Sequence, residues 1–498
     1  MHEVLIYDGI RIHSLQAEDD ELLLHVLRSN GFSVYSECGG NGACGKCRVL
    51  VKGTGTVTSC LFKIQRSIEI ILPEAREAQI LSAQHSLSID LPFKPGDSAK
   101  LSLNPYGLAV DLGTTTVVCY FVNLKTGALI ETLSILNPQR SYGADVISRI
   151  QYASSNPNGT QALQESICSA INSQISKFCS HNQVDQNEII KITVAGNNTM
   201  LHLLIGENPS SMGQAPYTPH FVNWQYRLAA DLILNCNPLA QVLILPSVSA
   251  FVGADIVAGI GSIKAMDSLN NYLFIDLGTN GELALVTPST IWCCATAAGP
   301  AFEGANLSCG IGGVEGAISE YSSSGYRVIG YEKPIGVCGS GLVDAVTFML
   351  ESGYMDSTGQ IDHAFEIVNS KSSASGNAIT ISQQDIREVQ LAKSAIASGI
   401  NILLKKATLT IENIDALFLA GGFGNYLNAS NAMKIGLLPM SMNGKVISIG
   451  NAAGTGALIA LKSELFNDVL DKLLQRTKHI ELSEDEDFAI EFAMNMNF

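Results

Sequence analysis

The sequence predicts a multidomain chain, with a small α+β unit at the N-terminus followed by a larger, internally duplicated α/β body. Three observations predict it. At 498 residues the chain exceeds what one hydrophobic core usually organises. Residues 1–73 pass from strand-like alternation to a helical run and back, whereas from residue 105 strands and helices alternate through many glycines and small residues. Two segments, GLAVDLGTTTVVCYFV at 107–122 and YLFIDLGTNGELALV at 272–286, share a strand, the turn Asp-Leu-Gly-Thr and a second strand, which marks an internal repeat.

Residues 1–15 alternate around Asp8-Gly9, a hairpin signal. Asp19-Asp20 opens a helix through ELLLHVLRSN, with acidic residues at its positive end and Gly31 as its stop. The loop CGGNGACGKC at 38–47 follows, then strands in CRVLVKG and SIEIIL. This β-β-α-β-β order over residues 1–75 suits a β-grasp, ferredoxin-like unit. Residues 76–104 carry Pro and Gly without periodicity and read as a flexible linker. Residues 105–498 then hold the duplicated body, in which two similar subdomains face one another.

Charge and composition narrow the functions. Lys and Arg total 30 against 46 Asp and Glu, a formal charge of −16 with no basic run, which argues against nucleic acid and anionic membranes as partners. No apolar run reaches the roughly 18 residues of a membrane span, and MHEVLIYDGI lacks the regions of a signal peptide, so a cytoplasmic protein is expected. In a reducing cytosol, 12 cysteines point to metal or redox chemistry where they cluster.

Cys38, Cys44, Cys47 and Cys60 have the spacing C-x5-C-x2-C-x12-C, close to the plant-type ligand pattern of a [2Fe-2S] cluster. Gly39, Gly40, Gly42 and Gly45 suit a loop that needs positive φ and must bring backbone N–H groups against sulfur. Structural zinc is the competing reading, but it usually draws on two C-x2-C pairs and only one is present here. Cys119, Cys168, Cys179 and Cys236 lie among apolar or helical residues and read as buried packing groups. Cys293, Cys294, Cys309 and Cys338 sit in glycine-rich stretches; packing near turns is weighed there against a second metal site. The histidines show no ligand spacing, and SEDEDFAIEF near the C-terminus reads as a solvated acidic tail or a contact for a basic partner patch.

Asp111-Leu112-Gly113-Thr114-Thr115-Thr116 and Asp276-Leu277-Gly278-Thr279-Asn280-Gly281 each end an apolar strand, where amides and hydroxyls can take phosphate oxygens and an Asp can hold Mg²⁺ through water. These segments resemble the two phosphate loops of the superfamily of acetate and sugar kinases, heat-shock chaperones and actin. PSVSAFVGADIVAGI (246–260) and IGNAAGTGALIAL (449–461) resemble its two connecting helices, and ALFLAGGFGNYL (416–427), with Gly421, Gly422 and Phe423, its adenosine segment. The resemblance implies ATP in a cleft between the subdomains. It also implies adenine contacts on the helix from about Gln384 to Lys406, with Lys393 and Ser394 as the candidates.

A ferredoxin-like unit joined to such an ATPase resembles the reductive activators of corrinoid enzymes. AGNNTMLHLLIG (195–206), AAGPAFEGANLSCGIGG (297–313) and GVCGSGLVDAV (336–346) are similar to that family too. The resemblance implies that MgATP drives one electron from the cluster to a partner corrinoid protein, restoring Co(II) to Co(I). Asp111 and Asp276 would organise Mg²⁺ and water, and Thr114, Thr115, Thr279 and Asn280 the phosphates. It further implies a reducing donor protein or flavoprotein and makes homodimerisation an expectation. Longer relatives carry an additional small domain where this chain has only its linker. Two alternatives stay open at this point: an ATP-dependent activator of a radical dehydratase or reductase, and a small-molecule kinase with a redox-sensing domain.

Overall fold

Alternation builds the first sheet. His2–Tyr7 buries Val4 and Ile6 and pairs antiparallel with Ile12–Ala17. The computed structural model describes residues 1–7, 12–30, 32, 34, 40, 47–72, 88–97, 102–263, 269–278, 280–330, 333–424 and 426–498. Ile68–Ile71 lies parallel to the first strand, and Arg48–Val51 and Gly55–Thr58 complete a five-stranded sheet. Helix Leu23–Ser29 contributes Leu23, Leu24, Val26 and Leu27 to the same core.

Two local expectations change. Asp20 takes a positive φ of 63° and donates its N–H to the Ile64 carbonyl at 2.8 Å, and Glu21–Leu22 pairs with Lys63–Ile64, so the helix starts only at Leu23. The acidic pair therefore closes a turn and does not cap a helix. Gly55–Thr58 is a strand that its glycine and threonine content hides, because register with Arg48–Val51 makes it an edge. The Asp8-Gly9 turn and Gly31 lie outside the described residues.

In the body the duplication is topological. Tyr106–Leu112, Thr116–Asn123 and Leu129–Leu136 form an antiparallel meander. Ile189–Gly196 and Gln241–Ile244 then add in parallel beyond the first strand, with Gln225–Leu228 antiparallel at the edge. Tyr272–Leu277, Gly281–Val286 and Ile291–Thr296 repeat the meander, and Ala416–Ala420 and Val446–Gly450 repeat the parallel additions. In both six-stranded sheets the strand that ends in Asp-Leu is interior, so each Asp-Leu-Gly turn leaves a buried strand at the same sheet end.

Helices Ala254–Gly261 and Ala452–Lys462 join the halves and cross at backbone contact. A Cβ on Gly456 would fall 2.3 Å from the Ala258 carbonyl oxygen, which only glycine avoids. The segment 88–97, read in the sequence as flexible linker, is tied to the ends of both helices. Ile89 N–H donates to Ser262 O at 2.8 Å, Lys94 N–H to Lys462 O at 2.9 Å, and Glu464 N–H to Lys94 O at 3.0 Å. Exposed helix-end carbonyls need donors, and this segment supplies them while Ile89 and Leu91 pack on the core. Among the described residues no helix is long and apolar enough to cross a membrane.

Gly456→Ala should therefore lower the stability of the body by roughly 1–3 kcal/mol through overpacking. A thermal-unfolding midpoint equal to that of the parent would show that the helices part freely at this point.

Candidate functional site

On the N-terminal side, Cys47 and Cys60 are both buried. The Cys60 N–H donates to Cys47 Sγ at 3.4 Å, while Ser59 donates to the Cys47 carbonyl through its N–H at 2.8 Å and its hydroxyl at 2.9 Å. A backbone N–H directed at a sheltered sulfur fits thiolate ligation of an iron–sulfur cluster, where such bonds tune the sulfur charge. Gly40 has φ +102°, as a wrapping loop requires. Cys38, Cys44, Gly39, Gly42 and Gly45 lie outside the described residues.

The second site is a cavity of about 360 Å³ between the two halves of the body. Asp111, Gly113, Thr114, Thr115 and Thr116 line one wall; Asp276, Gly278 and Asn280 line the other. Each turn is closed locally, Gly113 N–H donating to Thr116 O at 3.0 Å and Gly278 N–H to Asn280 O at 3.1 Å. The first loop is also held from behind. Asn137 donates through Nδ2 to Gly113 O at 2.8 Å and through its N–H to Thr115 O at 2.9 Å. The wholly buried Arg149 donates from Nη2 to Thr114 O at 2.6 Å and from Nε to Gly143 O at 2.9 Å. Burial lowers its pKa to about 9, so Arg149 stays cationic at neutral pH. Beside the second loop, Gly421 of the 416–427 segment has φ +88°, and any Cβ there would stand 2.6 Å from Asp276 Oδ1. Thr279 lies outside the described residues.

Sequence reasoning missed part of the acidic lining. Asp255, Glu282 and Glu303 join Asp111 and Asp276, and Asn451 donates to Asp111 Oδ2 at 2.8 Å. Burial pushes Asp111 up to about 7, opposed by the Asn451 hydrogen bond and helped by the charge of Asp255. Burial, with Asp255, Asp111 and Glu303 nearby, pushes Asp276 up to about 8. Asp255 is raised to about 6 and Glu282 well above its ordinary value, again chiefly by burial. The signal was present: Asp255 and Glu303 are lone acids inside the glycine- and apolar-rich stretches AFVGADIVAGI and AAGPAFEGANL. Among the described residues no three His, Cys, Asp or Glu side chains converge to ligate one ion directly. Across the cleft, Thr115 Oγ1 donates to both oxygens of Glu303 at 3.0 Å, joining the two halves.

Gly421, Gly422 and Phe423 also line the cavity, and Phe423 stacks on Phe302 with centroids 5.1 Å apart, offering a flat apolar face beside an open glycine turn. Lys393 and Ser394 are not there. On helix Gln383–Ala407 both turn to the C-terminal segment: Lys393 Nζ donates to Asn497 O and lies over the Phe498 ring, and Ser394 Oγ donates to Phe492 O. The expectation of adenine contacts at these two residues is corrected, because packing of helix Phe488–Met494 takes that face of the helix. Cys338 lines the cavity, while Cys293 and Cys294 are buried in Ile291–Thr296 and join the hydrophobic cores.

The raised carboxyls make stability depend on pH. Unfolded Asp ionises near 4, so between about pH 4 and 8 the native state keeps protons that unfolding releases, and stability falls as pH rises. The ligand-free protein should lose thermal stability from pH 6 to 8.5, Mg²⁺ should flatten that slope, and Asp276→Asn should reduce it. A midpoint independent of pH in this range would contradict the burial of these charges.

Comparison with known proteins accounts for the whole arrangement. Residues 8–92 match a 2Fe-2S iron-sulfur cluster binding domain, residues 106–268 the RACo middle region, and residues 270–498 the C-terminal domain of RACo, the ASKHA domain. The chain is 30% identical to the corrinoid activation enzyme RamQ of Eubacterium limosum, over 97% of each chain. That alignment runs over 580 positions, more than the 498 residues here, so the relative carries segments without a counterpart in this chain. Identity is 23% to the [Co(II) methylated amine-specific corrinoid protein] reductase of Methanosarcina barkeri, over 75% of this chain and 73% of the relative. A solved structure of a reductive activator for corrinoid, iron-sulfur protein superposes with a TM-score of 0.73 and 28% identity, covering 100% of this chain and 98% of that one. With paired buried thiols in its N-terminal unit, facing Asp-Leu-Gly turns in its body and kinship along nearly its full length, the chain belongs to the family of reductive activators of corrinoid proteins.

Proposed function

We propose that this protein is an ATP-dependent reductive activator that passes one electron to a partner corrinoid protein and returns its cobalt from Co(II) to Co(I). The observation that carries the reading is the union, in one chain, of a sheltered thiol pair with a two-walled acidic cleft, in a sequence matched over 97% of its length to a corrinoid activation enzyme. Cys38, Cys44, Cys47 and Cys60 would hold the [2Fe-2S] cluster, which supplies one-electron chemistry. A reducing donor protein or flavoprotein would supply the electron.

The cleft residues divide the work of nucleotide binding. The amides and hydroxyls of Thr114, Thr115 and Thr116, with Thr279 and Asn280, take phosphate oxygens, Gly113 and Gly278 close the two turns and leave room for the phosphates, and the Phe302–Phe423 pair with Gly421 and Gly422 takes the base side. Asp111, Asp255 and Asp276 hold Mg²⁺ through its waters, a mode suited to an ion that dehydrates reluctantly and to carboxylates that do not converge on one point. The cation also offsets the burial that raises these carboxyls and the added repulsion among Asp111, Asp255 and Asp276. A phosphate that takes the Thr115 hydroxyl displaces the Glu303 carboxylate and breaks a contact between the halves. Nucleotide state thus becomes domain position. Electron transfer from an ordinary ferredoxin-type cluster to cobalt is uphill by about 1.4 kcal/mol for each ~59 mV, and the nucleotide cycle offsets that cost.

Mixing reduced protein, MgATP and a Co(II) corrinoid protein should produce the Co(I) absorption; its absence with several corrinoid partners would overturn the reading. Asp111→Ala should slow ATP-dependent activation at least about 100-fold and leave the visible cluster spectrum intact. Cys47→Ala should bleach that spectrum while ATP hydrolysis survives, and an intact cluster would remove Cys47 from the ligand set.

A further inference from the structure

Arg28, in the last turn of helix Leu23–Ser29, reaches out of the N-terminal unit onto the body. Its guanidinium carbon lies 5.4 Å from the centroid of the Tyr142 ring, and Tyr142 meets Tyr152 edge to face at 4.9 Å. Toward its own unit it faces Gly40 and the buried Cys47 and Cys60. A Cβ built on Gly40 would stand 3.3 Å from Arg28 Nη1 and 3.9 Å from Cys60 Cβ, and the guanidinium feels the Cys47 and Cys60 sulfurs. A half-buried guanidinium on an aromatic face is held more strongly than an exposed one.

Tyr142 belongs to the segment that braces the 111–116 turn from behind. It follows the turn Pro138–Ser141, whose cap Asn137 holds Gly113 and Thr115. The next residue, Gly143, shares the guanidinium of Arg149 with Thr114. A shift of the loop on binding phosphate therefore reaches the Tyr142 ring through two rigid donors, Asn137 and Arg149.

We infer that Arg28 is a positioning residue that ties the Gly40, Cys47 and Cys60 side of the N-terminal unit to the Tyr142–Tyr152 pair and so couples nucleotide in the cleft to the electron on the cluster. The inference rests on the reading of the two sites as [2Fe-2S] and ATP sites. Reduction adds one negative charge beside Cys47 and Cys60, and a docked Arg28 stabilises it. An activator that must send the electron uphill needs its nucleotide-loaded state to hold that electron less firmly, and withdrawal of this cation does so. ATP thus loosens the Arg28 contact, and by reciprocity reduction weakens ATP binding by the same factor.

The test uses the intact holoprotein without any corrinoid partner. The affinity for a non-hydrolysable ATP analogue is measured in the oxidised and reduced protein, and the cluster potential is titrated with and without the analogue. The expected result is about tenfold weaker binding by reduced protein, equivalent to a fall of about 59 mV in potential when the analogue binds. Arg28→Ala should lower the potential of the nucleotide-free protein and abolish the difference with the visible cluster spectrum retained. Tyr142→Ala should abolish it from the other side of the contact, while Tyr142→Phe, which keeps the ring face, should preserve it. Equal affinity in the two redox states of the parent, or a full difference in both alanine variants, overturns the inference. If cluster, nucleotide and corrinoid reduction are all present without this coupling, the activator reading stands and Arg28 alone loses its role; failure to bind either cofactor ends both.

Discussion

The approach of two helix backbones at Gly456 and Ala258 is the contact on which the other features depend. Because no side chain separates helices Ala254–Gly261 and Ala452–Lys462 there, the two sheets sit close enough for their Asp-Leu-Gly turns to face each other across one cavity. The same crossing is the natural pivot for motion of one half against the other. Residues 88–97 bond to the carbonyls of Ser262 and Lys462 at the ends of these helices, so a change in crossing geometry pulls directly on the chain that leads toward the N-terminal unit.

The cleft stores electrostatic cost. Five carboxylates line a largely enclosed space, and three of them carry pKa values raised to between about 6 and 8 because water is scarce and like charges are near. Such a site favours a ligand that arrives with its own cation, and metal-bound ATP is one. Thr115 and Glu303 meanwhile hold each other across the gap, so the hydroxyl most useful to a phosphate is already ordered by a displaceable anion. In the proposed activator, binding and opening are linked by competition for this one hydrogen-bond donor.

Among the described residues, the thiols and this cleft are connected through the chain at residues 88–97 and through the stacking of Arg28 on Tyr142. The second is a direct contact between side chains. Arg149 makes it sensitive to the phosphate loop, since one buried guanidinium bonds the carbonyls of both Thr114 and Gly143. Removing water from such a group makes every change in its surroundings costlier than at a surface.

Contiguous features were legible in the sequence. The cysteine spacing, the repeated Asp-Leu-Gly-Thr turns, the Gly and Ala of the crossing helices and the order of the motifs are each written within a few residues, and they determined the fold class and the family resemblance. Cavity-lining Asp111, Gly113, Thr114, Gly278, Asn280 and Phe423 followed from them. Tertiary structure decided what depends on which faces meet. It gathered Asp255, Glu282, Glu303 and Asn451 from four separate segments into the cavity, turned Lys393 and Ser394 away under the C-terminal helix, anchored residues 88–97 of an apparent linker, and set Arg28 on Tyr142. The physical reason is that backbone preference and hydrophobic period are local, whereas the partner of a polar side chain is chosen by packing between elements that the chain separates by up to hundreds of residues.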